Sequence, residues 1–77
     1  MHTSTSPDRL IYMANQIAIF MESKPHAEGM AGLASHINDF WEPRMRRQFF
    51  DMLDAGDTRF RPLVAEAAAS IHRPAPV

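Results

Sequence analysis

Residues 6–21 decide the fold: Ser6-Pro7-Asp8-Arg9-Leu10-Ile11-Tyr12-Met13-Ala14-Asn15-Gln16-Ile17-Ala18-Ile19-Phe20-Met21. Ser6 can accept hydrogen bonds from free amide donors, Pro7 suits the first helical position, and Asp8 faces the positive end of a helix dipole. The apolar residues then recur at steps of three and four. Leu10, Met13, Ala14, Ile17, Phe20 and Met21 fall on one stripe, the pattern of a helix with a buried face. Lys24-Pro25 ends it, because a residue before proline avoids the helical region.

The same period continues along the chain. A second helix is predicted over His26 to Trp41, with Met30, Leu33, Ala34, Ile37, Phe40 and Trp41 on its stripe and Glu28, Ser35 and Asp39 opposite. Gly29 and Gly32 each weaken it by about 1 kcal/mol relative to alanine, which predicts a late or ragged start. Pro43 opens a third helix to Asp54, striped by Met45, Phe49, Met52 and Leu53, and Gly56 is a left-handed stop. Asp57 to Arg61 reads as a loop. Pro62 opens a fourth helix with Leu63, Val64, Ala67, Ala68 and Ile71 on one side. The fold class is all-α, a small bundle of three to four short helices. Residues 1–6 are expected to be a flexible start, 7–72 a single helical domain, and 73–77 a flexible tail.

Size and composition limit the function classes. Seventy-seven residues make one domain at most. Such a chain folds to roughly 4,700 Å² of surface and buries only about 62% of what it exposes unfolded, so its core is thin and a stabilising partner is plausible. Leu, Ile, Val and Phe make up about a fifth of the chain, just above the disordered range, and the high net charge of disordered chains is absent. Formal charge is −1, which gives no global pull toward nucleic acid or anionic membrane. Without cysteine there is no disulfide, thiolate metal site or Cys catalysis. The first ten residues have no apolar core of a signal peptide, and no run of 18 apolar residues exists, so the expected compartment is the cytosol.

Catalytic and metal motifs are not evident. His2, His26, His36 and His72 form no same-face metal pair; His36 and Asp39 are at hydrogen-bond spacing, but two groups do not close a site. No serine lies in a nucleophile elbow, and no glycine-rich phosphate loop precedes a lysine. Arg44, Arg46 and Arg47 form the one dense charge cluster. It could contact a phosphate or an acidic protein surface, or Arg47 could simply pair with Asp51 one turn away. A small nucleic-acid-binding or regulatory module using these three arginines is therefore the alternative functional class.

Apolar residues outside the stripes are more informative. Tyr12 and Ile19 lie seven apart on the far side of the first helix, with Asn15 and Gln16 beside them. Phe50 lies off the third stripe, between Arg46 and Arg47 on the helix surface. Several such residues on one small domain point to a contact surface, and six methionines add adaptable apolar area. Trp41 extends the Met30–Ala34–Ile37 line, so it suits a core position or a binding hot spot.

Two segments carry a family resemblance. Leu10-Ile-Tyr-Met-Ala-Asn-Gln-Ile17 with Phe20, and His36-Ile-Asn-Asp-Phe-Trp-Glu-Pro-Arg-Met45, resemble the delta subunit of NAD-dependent molybdenum or tungsten formate dehydrogenases. Asp54-Ala-Gly56 and Pro62-Leu63-Val64 before an alanine-rich helix also fit, so the likeness covers about residues 8–71. It implies a cytoplasmic, multi-subunit complex that converts formate and NAD⁺ to CO₂ and NADH. In that complex an alpha subunit carries molybdopterin and iron–sulfur clusters, a beta subunit carries FMN, clusters and the NAD site, and a gamma subunit carries another cluster. Delta would be a non-catalytic accessory chain without a redox cofactor, supporting assembly, cofactor retention or stability of the alpha subunit. A dissociable assembly factor is a third possibility, distinguished by stoichiometry. Asn15, Gln16, His36, Asn38, Trp41, Pro43, Arg44 and Arg46 match the family pattern and are expected to be structural or interface residues. The expected contact surface combines Tyr12, Asn15, Gln16 and Ile19 with the Trp41–Arg47 junction, with His36 and Phe50 added. No catalytic, cofactor-binding or metal-binding residue, and no nucleic-acid or membrane partner, is expected in this chain.

Overall fold

The structure is a computed structural model that describes residues 6–74. The expectations for residues 1–5 and 75–77 lie outside that range. Four helices follow in chain order: α1 (Pro7–Met21), α2 (His26–Phe40), α3 (Pro43–Asp54) and α4 (Pro62–Ala67), the last running into a 3₁₀ turn at Ala68–Ser70. No strand occurs among the described residues. The all-α reading is correct, and the exposed surface of 5034 Å² is close to the roughly 4,700 Å² that the chain length predicts.

The start and stop signals act where the sequence places them. Ser6 Oγ accepts from the Arg9 amide at 3.2 Å. Pro43 and Pro62 open α3 and α4 at the first helical position. Gly56 takes φ +85° after α3, a conformation that costs other residues about 1–2 kcal/mol. The short Glu22–Pro25 link folds α2 back along α1, and α2 packs between α1 and α4.

α2 begins cleanly at His26, not late as its glycines predicted. The reason is the helix crossing. A Cβ on Gly29 would stand 2.6 Å from the Met21 carbonyl oxygen, so the bare glycine lets the two backbones approach. Packing offsets the propensity cost.

The core joins Leu10, Ile11, Ala14 and Ala18 of α1 to Leu33, Ala34 and Ile37 of α2 and Leu63, Val64 and Ala67 of α4. A second, aromatic lobe anchors α3. Phe49 is fully buried and meets Trp41 at 6.1 Å, Phe50 at 5.1 Å and Phe60 at 5.3 Å, all edge to face, the arrangement that aromatic quadrupoles favour.

Three readings of the stripes are corrected. Phe50, expected outside the core as a contact residue, is buried beneath the Arg73 guanidinium, 4.1 Å from its ring centre. Phe20 and Phe40, expected in the core, are 63% and 73% exposed. On α1 the buried stripe is rotated toward Ile11 and Ala18, on the flank where the segment before α4 bonds to Asn15 and Glu22, and Phe20 is left outside.

Gly29→Ala should lower the urea unfolding free energy by about 1–3 kcal/mol, the range for overpacking a tight contact. Gly32→Ala is the contrast. Its Cβ would meet only the Met21 thioether at 2.9 Å, a flexible group that can move aside. The helix-propensity gain of about 1 kcal/mol should then leave stability unchanged or raised.

Candidate partner interface

Asn15 and Asn38 do the same job at opposite ends of the domain. The Asn15 side-chain NH₂ donates to the Arg59 carbonyl at 3.0 Å, and its oxygen accepts from the Arg61 amide at 2.9 Å. The Asn38 NH₂ donates to the Ser70 carbonyl at 3.1 Å, and its oxygen accepts from the His72 amide at 2.8 Å. Each amide thus pairs with the backbone on both sides of one residue. Those residues are Phe60 and Ile71, and both are buried. A side-chain amide presents one donor face and one acceptor, which is what a two-residue stretch of open backbone needs. Asn15, expected at a contact surface, is therefore a structural residue that sets the loop before α4.

Arg46 is committed inward as well. Its Nε donates to the Trp41 carbonyl at 3.3 Å and its Nη1 to the His72 carbonyl at 2.7 Å. Trp41 itself is buried, so at the Trp41–Arg47 junction Pro43, Arg44 and Arg47 remain exposed. Arg47 and Asp51 form no ion pair. The arginine cluster sits on the first turn of α3, the end of the helix dipole that disfavours cations, and Arg46 is held there by two carbonyls.

Residues that the sequence did not single out hold the domain's rim. Arg61 makes a two-pronged pair with Glu22, at 2.7 and 2.8 Å. Arg59 bridges Asp57 and Asp8, and Arg73 pairs with Asp54. Hydrogen bonding from the facing arginines holds the Glu22, Asp54 and Asp57 carboxyls below the usual carboxylate range. These pairs are open to solvent, where each contributes little. Apart from Asp57 and Arg59, which are 2 residues apart, the partners lie 19 to 51 residues apart in sequence, so no local spacing signals them.

An open cleft of about 410 Å³ lies between the α1–α2 turn and the start of α4. Of its charged lining, Glu22 is paired with Arg61, His26 lies 3.3 Å from Glu66, and Lys24 turns its ammonium over the Phe20 ring. Among the described residues no group of three His, Asp or Glu side chains could hold a metal. With no cysteine in the chain, the residues present do not fit a resident iron–sulfur cluster.

The outer surface of α1 is different in kind. Between Arg9 and Glu22 the helix carries no charged side chain. Tyr12 is 63% and Ile19 48% exposed, and Gln16 stands exposed between them. Phe20 adds a second exposed ring to this surface. Across the α1–α2 seam, half-buried His36 stacks on Phe40 with ring centres 4.8 Å apart. Phe20 and Phe40 were hidden from sequence reading because they obey the same period as the core.

These features describe a small helical domain with ion pairs along its rim and an uncharged stretch of α1 that exposes Tyr12, Ile19 and Phe20. The model of the NADH-dependent formate dehydrogenase delta subunit family, FdsD, matches residues 9–68, and the chain belongs to that family. No curated protein and no solved structure matches it. No described helix is long and apolar enough to cross a membrane.

Asn38→Asp replaces the donating NH₂ by an acceptor facing the Ser70 carbonyl. It should cost about 0.5–1.5 kcal/mol in urea unfolding of the free chain, the net worth of an ordinary hydrogen bond, because the pair is open to solvent. An unchanged unfolding midpoint would show that Asn38 serves something other than the fold.

Proposed function

We propose that the chain is a non-catalytic accessory subunit of a cytoplasmic NAD-dependent formate dehydrogenase. It binds the large catalytic alpha subunit and supports its stability, assembly or cofactor retention. The molybdopterin, with molybdenum or tungsten, the iron–sulfur clusters, FMN and the NAD site belong to the alpha, beta and gamma chains. What carries this reading is the outer side of α1, where twelve consecutive residues lack charge while Tyr12, Ile19 and Phe20 stand in water. Family membership supplies the class of partner. The nucleic-acid alternative loses support because Arg46, the middle of its three arginines, is occupied by backbone carbonyls.

Introducing aspartate at both Tyr12 and Ile19 should lower recovery of the tagged chain with the formate dehydrogenase by at least roughly tenfold, since each change places a charge in a desolvated contact. Helical circular dichroism of the free variant should be unchanged, because both positions face solvent. Full recovery of a one-to-one complex would remove α1 from the interface.

A further inference from the structure

The seam between the packed helices α1 and α2 is a shallow groove with two unequal sides. On α1, Met21 closes against Gly29 and Gly32 of α2. Four-residue steps back from Met21 reach Ile17 and Met13, which are half-buried against the core. Four-residue steps forward from Gly32 reach His36 and Phe40. Because α1 and α2 are antiparallel, these two lines run beside each other. Met13 and Ile17 form the floor, Phe20 rises from the α1 side, and the His36–Phe40 stack rises from the α2 side. From Gly29 to Phe40 the seam is about 16 Å long at 1.5 Å per residue, or three helical turns.

The two rims differ in charge. The α1 rim is neutral: Tyr12, Gln16 and Ile19. The outer flank of α2 carries Glu28 and Asp39, and α2 contains neither Lys nor Arg. One cation, Lys24, sits at the end of the groove over the Phe20 ring at 5.4 Å. Phe20 and Phe40, 63% and 73% exposed, offer about 200–350 Å² of apolar surface to the groove, from about 150–250 Å² for each whole side chain. That is roughly a third of the about 800 Å² that each side of a standard interface buries, and the groove floor adds to it.

We infer that the α1–α2 groove receives an amphipathic helix of about three turns from another formate dehydrogenase subunit, with its apolar face on Phe20 and Phe40 and Lys or Arg residues along the α2 side. This deepens the accessory-subunit reading and rests on it. Length, an apolar floor and one-sided charge are the features by which grooves select helices. The acidic rim sets the direction of the charge match, which steers association and register more than it adds affinity.

Photo-crosslinking in the assembled enzyme tests it. A benzophenone amino acid replaces Phe20 or Phe40 in one pair of variants and Tyr12 or Ile19 in a second pair. Positions 20 and 40 are expected to label the same helical peptide of one other subunit, with basic residues next to the labelled site. The double variant Glu28→Lys, Asp39→Lys should reduce that labelling several-fold and leave the free chain folded. Labelling from 12 and 19 without labelling from 20 and 40 overturns the groove while the subunit reading stands. Crosslinks from 20 and 40 to a second copy of this chain, or to an acidic or extended peptide, overturn the helix assignment. No crosslink from any of the four positions overturns both readings.

Discussion

The fold depends on two asparagines that replace missing secondary structure. Four short helices do not close a core by themselves. Two segments that leave the helical ladder, around Phe60 and from Ile71 onward, must also bring an apolar side chain inward. The backbone on either side of each lies outside the helices and finds its hydrogen bonds elsewhere, each worth about 0.5–1.5 kcal/mol. Asn15 and Asn38 supply both partners to each segment. Phe60 then completes the aromatic lobe around Phe49, and Ile71 caps the end of the domain beside α2. Removing either amide would loosen a loop and the core piece that it carries.

Trp41 is buried and half-buried Asn15, Asn38 and Arg46 are bonded to the backbone, which leaves a distinct set outside. The motif residues are mostly used to build the domain, and exposed surface is left to Tyr12, Gln16, Ile19, Phe20 and Phe40. Those residues share a side of the α1–α2 hairpin. α3 is held by Phe49 in the core and by Arg73, which covers Phe50 and pairs with Asp54. A chain this small has little core to spare. Keeping three aromatic rings in water is a cost that the proposed partner surface would offset.

How far the sequence was legible follows from which forces act locally. Caps, prolines and Gly56 act within a few residues, and the helix boundaries were readable from them. Tyr12 and Ile19 were readable as outward-facing because seven residues separate them on a helix. Phe20, Phe40 and Phe50 were misplaced, since a helical period says which residues share a face and not which face a neighbouring helix covers. The segment before α4 bonds to the Asn15–Glu22 flank of α1, and the segment after Ser70 reaches Phe50 through Arg73. Both facts are tertiary. The asparagine pairings and the Arg61–Glu22 pair span more than thirty residues and have no local signature.

The central claim is that the assembled enzyme covers the α1–α2 side of this chain and leaves the exposed face of α3 in water. Hydroxyl-radical footprinting of the free chain and of the purified complex reads it directly, because modification rates follow side-chain exposure. Tyr12, Phe20 and Phe40 should lose most of their reactivity in the complex, while Pro43, Arg44 and Arg47 keep theirs. Protection of the Pro43–Arg47 turn with Tyr12, Phe20 and Phe40 still reactive would contradict the account.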